Sequence, residues 1–216
     1  MGTAMKFSSA FYRQCGGRTA ILLQQVVRKK DSCGILLACV CTSEKMENKG
    51  RPELCDRLLC MFREELLTGN ACGAAEYSNN IEKLLRAEAD EYRRGFSKCS
   101  YSGILCIGDE ALLFAAGRQR IYLINSAFMR PQISLIMGEG DFLTPRILRA
   151  GLEQGVSVLL GTEPFFEYMD EGLIKECLFI RGDMDGIRTE RHLREYGRYM
   201  EDKGGTDMGA AVVRAL

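Results

Sequence analysis

Between Ser100 and Gly138 four short apolar segments, SYSGILCIG, ALLFAAG, QRIYLIN and QISLIMG, follow one another with no helical stretch between them. Gly108-Asp109, Gly117-Arg118 and a break from Met129 to Pro131 divide them, and such residues turn a chain. Parallel neighbours need a crossover of roughly a dozen residues or more, which these connections cannot supply. The segments are expected to pair as an antiparallel meander. That excludes a doubly wound parallel sheet and sets the class as α+β.

The flanking pattern fits this class. Thr19 to Arg28 and Gly34 to Thr42 are apolar, partly β-branched runs on either side of RKKDSCG, and they predict a strand pair. A polar loop, Ser43 to Gly50, leads to a helix from Pro52 to Thr68, where Leu54, Leu58, Met61, Phe62 and Leu66 form one stripe. A second helix is predicted from Ser78 to Arg94, with Ile81, Leu84, Leu85, Ala89 and Tyr92 on its buried face. TPRILRAGLEQ, from Thr144, fits helix or strand by period alone. Gly155 to Gly161 reads as a buried strand, followed by helices at Glu163 to Met169, Asp170 to Ile180 and Thr189 to Lys203. GAAVVRAL closes the chain as a strand. No interior stretch reads as a linker, so a single domain over residues 1–216 is expected.

Lys plus Arg and Asp plus Glu both number 29, and this balance argues against a nucleic-acid partner. The longest apolar runs, such as Gly34 to Cys41, are far too short to span a membrane. MGTAMKFSSAFYRQ has no apolar signal core, and Lys6 stands where a myristoylation signal needs Ser or Thr. The expected location is cytoplasmic. Ten cysteines fall mostly in apolar runs, where thiols behave as small hydrophobes. No Cys-x2-Cys pair exists, and Cys39 and Cys41 are expected to point to opposite or diverging sides of their strand. With His192 as the sole histidine, expected on the surface, no structural zinc is predicted.

Five stretches, in order, resemble the PPM-type (type 2C) metal-dependent serine/threonine protein phosphatases. GGRTAILLQQ is similar to that family's opening strand. ILLACVCTSEKMENKGRPELCDRLLCMFREEL resembles the strand, Asp-Gly-Met-Gly-Gly loop and first helix. AAGRQRIYLIN resembles the Val-Gly-Asp-Ser-Arg turn, GVSVLLGTEPFFEYMDEGLIKECL the Ser-Asp-Gly stretch, and GGTDMGAAVVRAL the closing Gly-x-x-Asp-Asn segment. The resemblance implies a four-layer α-β-β-α sandwich of two antiparallel sheets flanked by helices. It also favours a strand after Thr144. In that family two divalent ions between the sheets activate water against a phosphate, chemistry that needs hard oxygen ligands.

Placed on this pattern, the first aspartate falls at Thr19, the bridging aspartate at Cys41 and the carbonyl-donating glycine at Thr42. Glu44 and Lys45 replace the Gly-Gly that follows. Ser-Asp-Gly becomes Thr162-Glu163-Pro164, and the closing aspartate is kept as Asp207 beside Met208. The phosphate-gripping arginine has no match in register, although Arg13 and Arg18 lie nearby. A thiol does not replace a carboxylate on Mg. No catalytic residue is assigned, and only Glu163 and Asp207 remain as vestigial metal ligands. The expectation is a catalytically inactive phosphatase-like domain. It would act as a protein-binding or regulatory module in phosphorylation signalling, its partner a phosphoprotein or a kinase. The alternatives are a weak phosphatase holding Mn or Mg at one site through Glu163 and Asp207, and a structural subunit with no phosphate role.

Overall fold

A computed structural model of the chain describes residues 6–15, 17–27, 34–43, 53–67, 74–94, 99–125, 132–138, 144–167, 169, 172, 174 and 186–216. The strands are β1 (Phe7–Arg13), β2 (Thr19–Val27), β3 (Gly34–Ser43), β4 (Cys99–Ile107), β5 (Glu110–Ala116), β6 (Gln119–Asn125), β7 (Gln132–Met137), β8 (Arg146–Gly151), β9 (Val156–Thr162) and β10 (Gly209–Ala215). The helices are α1 (Glu53–Leu67), α2 (Ala74–Arg93), the single turn α3 (Glu163–Phe166) and α4 (Gly186–Asp202). One sheet runs β1-β10-β9-β6-β7 and the other β2-β3-β4-β5-β8, with every pairing antiparallel.

The layers follow from alternation along the strands. On β3 the residues Leu36, Ala38 and Val40 face the second sheet, where they meet Val158, Leu160, Ala211 and Val213 in a dry central core. Ile35, Leu37, Cys39 and Cys41, on the other face, pack under Leu54, Leu58 and Phe62 of α1 and Ile81 and Leu85 of α2. The outer face of the β1 sheet is covered by Leu193, Tyr196 and Met200 of α4 together with Phe165 and Phe166 of α3. This is the expected α-β-β-α sandwich. Because β3 and β4 are covered on both sides, they are buried almost without interruption rather than on alternate residues.

Several expectations are corrected in detail. β1 was not foreseen in the sequence: it pairs with β10 from Phe7↔Ala215 to Arg13↔Gly209. The predicted helix from Glu163 to Met169 ends at Phe166. Cys39 and Cys41 do not diverge. Residues two apart on a strand share a face, and the two sulfurs lie 3.3 Å apart. The 170–180 helix falls largely, and the 44–50 loop wholly, outside the described residues. Among the described residues no helix is long and apolar enough to cross a membrane.

Candidate functional site

A cleft of about 490 Å³ opens where the ends of β2, β3, β4 and β9 converge with the turn before β6 and the segment before β10. Arg18, Thr42, Ser43, Ser100, Arg118, Gln119, Glu163, Pro164, Thr206 and Asp207 line it. The sequence candidates divide cleanly. Thr42, Glu163 and Asp207 reach the cleft, Thr19 stands just behind it, and Cys41 does not enter it. Register explains the last case: Thr19 is opposite Thr42 and Ala20 is opposite Cys41, so Cys41 faces the helix layer. A carboxylate at position 41 of this strand would sit under α1, on the far side of the sheet from the cleft.

Asp207 is engaged from two sides by one residue. Arg18 donates its backbone N–H to Oδ1 at 2.6 Å, while its Nε and Nη2 reach Oδ2 at 2.9 and 2.5 Å. Burial alone would favour the neutral acid, but these charge-assisted bonds outweigh it and hold the Asp207 pKa below the ordinary carboxylate value. The backbone at Asp207 is left-handed, with φ 56°, a conformation that aspartate tolerates better than most residues.

Behind this pair a chain of neutral groups can be assigned a direction. Thr19 Oγ1 donates to the Asp207 carbonyl at 2.5 Å, which uses its one proton. Thr42 Oγ1, 3.0 Å from Thr19 Oγ1, therefore donates to it. Gln119 Nε2 donates in turn to Thr42 Oγ1 at 3.4 Å, and Ser102 Oγ donates to Gln119 Oε1 at 3.3 Å. Hydroxyls and one amide thus link β4, β6, β3 and β2 to the residue that precedes β10 by two. Gly209 permits the close approach, since a Cβ there would stand 2.5 Å from Thr19 Cγ2. Its N–H donates to Thr162 Oγ1 at 3.2 Å.

On the opposite wall Glu163 begins the α3 turn, with Thr162 as the N-cap residue and Pro164 in the first turn. Its N–H donates to the Arg118 carbonyl at 3.1 Å, and its Oε2 lies 3.8 Å from Arg118 Nε. His192 is outside the cleft on α4, with Nδ1 3.7 Å from Glu195 Oε2.

Chains of known structure match this one along almost its whole length. A bacterial serine phosphatase superposes with a TM-score of 0.66 at 12% identity, covering 98% of each chain. The serine/threonine phosphatase Stp1 from Staphylococcus aureus gives 0.66 at 12%, covering 100% of this chain and 97% of its own. The catalytic domain of the serine/threonine phosphatase PstP, solved with two manganese ions, gives 0.64 at 11%, covering 98% of each. The fold is that of the PPM-type phosphatases. No family model matches the chain, and no curated protein matches it in sequence.

The described residues of the cleft do not fit the two ions held by the PstP domain. Among the described residues no three His, Cys, Asp or Glu side chains are grouped to hold a metal ion. Both oxygens of Asp207 already accept from Arg18, and Thr19 and Thr42 offer hydroxyls that bond to each other. Sequence reasoning left Arg18 out of register, and it missed Gln119 and Ser102. A Thr at 19 facing a Thr at 42 was the available signal, because a buried hydroxyl beside a half-buried one needs partners.

Proposed function

We propose that this chain is a phosphatase-fold protein that does not hydrolyse phosphoesters and acts as a protein-binding or regulatory module in phosphorylation signalling, its partner a phosphoprotein or a kinase. The Arg18–Asp207 pair carries the reading. A guanidinium held by a carboxylate is an internal cation, and a dication approaching Asp207 would have to displace it against like charge. Metal-activated water, the source of the nucleophile in the phosphatase fold, then lacks its ligands. A cleft lined by hydroxyls and two arginines retains groups that hydrogen-bond a protein segment.

The competing reading, a weak phosphatase using one Mn or Mg ion, rests on Glu163 and Asp207 opening onto the same cleft. The two separate by assay. Purified protein with millimolar Mn is offered p-nitrophenyl phosphate beside a Glu163→Ala/Asp207→Ala double variant. Equal, background rates support the inactive module; turnover that the double variant abolishes overturns it. Affinity capture with and without phosphatase-treated lysate then tests the partner class, and capture of nothing in either arm favours a purely structural subunit.

A further inference from the structure

Directly beneath the cleft wall, on the helix-facing side of β3 and β4, four thiols meet. The Cys41 sulfur lies 3.3 Å from that of Cys39, and Cys55 on α1 and Cys99 on β4 are buried in the same cluster. Cys39, Cys41 and Cys55 are wholly buried and Cys99 is nearly so. Four sulfurs from three elements, gathered around one of them, are more than apolar packing requires. None of them lines the cleft.

We propose that Cys39 and Cys41 form a redox site, oxidised to an intramolecular disulfide by a small-molecule disulfide. Sulfur proximity selects this pair, at 3.3 Å, and closing the bond draws the strand in. Residues two apart on a strand have Cα atoms about 6.6–6.8 Å apart, at the upper edge of what a disulfide spans. Cys99 is diagonal to Cys41, whose partner across the ladder is Tyr101, and diagonal pairs lie about 7–8 Å apart. Cys55 belongs to a separate layer, α1, whereas Cys39 lies on the same strand as Cys41. In the first step the Cys41 thiolate attacks the small disulfide, forming a mixed disulfide and releasing one small thiol. The Cys39 thiolate then attacks the Cys41 sulfur, closing the ring around Val40 and releasing the second small thiol. The two protons lost from the cysteines go to the two leaving thiolates.

Hydrogen bonding to Cys39, Cys55 and Cys99, with burial added, raises the Cys41 pKa and keeps the thiol protonated while the layer above is closed. Oxidation therefore waits for α1 to open. Once formed, the bond puckers β3 at Val40, whose side chain lies in the central core, and shifts Thr42 next to Cys41.

The test uses the full chain carrying Cys33→Ser, since a tryptic peptide of residues 31–45 otherwise holds three cysteines. The protein is incubated with oxidised glutathione at increasing urea below its unfolding midpoint, alkylated, digested and weighed. The expected peptide has lost two hydrogens and escaped alkylation, while Cys55 and Cys99 remain alkylated. Its rate of formation climbs with urea, and Cys39→Ala abolishes it. Full alkylation of Cys39 and Cys41 at every urea concentration, under conditions that oxidise the exposed Cys15 and Cys60, overturns the proposal. So does a Cys41 crosslink to Cys55 or Cys99.

Discussion

The guanidinium of Arg18 and the carboxylate of Asp207 meet at 2.5 Å across 189 positions of sequence, and the Arg18 backbone N–H completes the grip. Removing the fork with Arg18→Ala leaves a mostly covered carboxylate with only a backbone donor. A hydrogen bond to a charged group contributes about 1.5–3 kcal/mol. Because the arginine side chain is 32% exposed, solvent screening places the loss near the lower figure. Urea unfolding measures it. Asp207→Asn should cost a similar amount, since Asn accepts the left-handed backbone. Asp207→Ala should cost roughly 1–2 kcal/mol more for the strained conformation.

Acid should weaken the fold through the same pair. The Asp207 pKa is lower folded than unfolded, where a free aspartate titrates near about 3.9. The stability it contributes is therefore fully present above that value and lost as pH falls through the lower, folded value. Unfolding midpoints measured from neutral pH downward should drop below about pH 4, and the acid limb should be shallower in Asp207→Asn. An unchanged acid limb in that variant removes Asp207 as its source.

Thr19→Val is nearly isosteric but deletes the donor to the Asp207 carbonyl and the acceptor for Thr42. Two half-buried groups each lose a partner, at well under the roughly 1–3 kcal/mol of a fully buried one, because the cleft lets water reach them. A double cycle with Thr42→Val should recover part of the loss, because the second change removes one of the orphaned hydroxyls.

Glycine in a helix interior ordinarily gains stability on substitution by alanine. Gly197 of α4 should do the reverse. A Cβ there would stand 2.2 Å from the Tyr12 ring of β1, and Tyr12 is itself fixed by its hydroxyl donating to Glu201 at 2.5 Å. Gly197→Ala should destabilise by about 1–3 kcal/mol, the cost of overpacking. Thermal unfolding of the single variant decides the sign.

These particular residues show what the sequence could and could not convey. The strands of the meander, the β2–β3 pair and both long helices carried their own periodicity and turn residues, so they were legible. β8 was not legible by period, since it is an edge strand with the pattern exposed, half-buried, exposed; the family resemblance favoured a strand there, and β8 bears it out. β1 is short, and its meaning depends on β10, some two hundred positions away. In the site, Glu163 and Asp207 were found because a carboxylate keeps its place in a motif. Arg18 was missed because its role is defined only by where Asp207 folds to meet it. Cys41 illustrates a third limit. A motif match fixes a position to within a residue, and one residue on a strand exchanges the cleft for the helix layer.

The place of β10 bears on the order in which the molecule can assemble during synthesis. The β2-β3-β4-β5-β8 sheet and its covering helices are encoded before residue 152, in mostly sequential hairpins. The other sheet is different, since β10 lies between β1 and β9, the sole neighbour of β1 in that sheet and one of two neighbours of β9. Until residues 209–215 leave the ribosome, β1 has no strand beside it in its own sheet and α4 has only part of its seat. The first sheet and the β9-β6-β7 part of the second can form as the chain emerges, while β1 waits for β10. Contacts of such long sequence separation form slowly, so the β1 edge of the sandwich is the part that closes late.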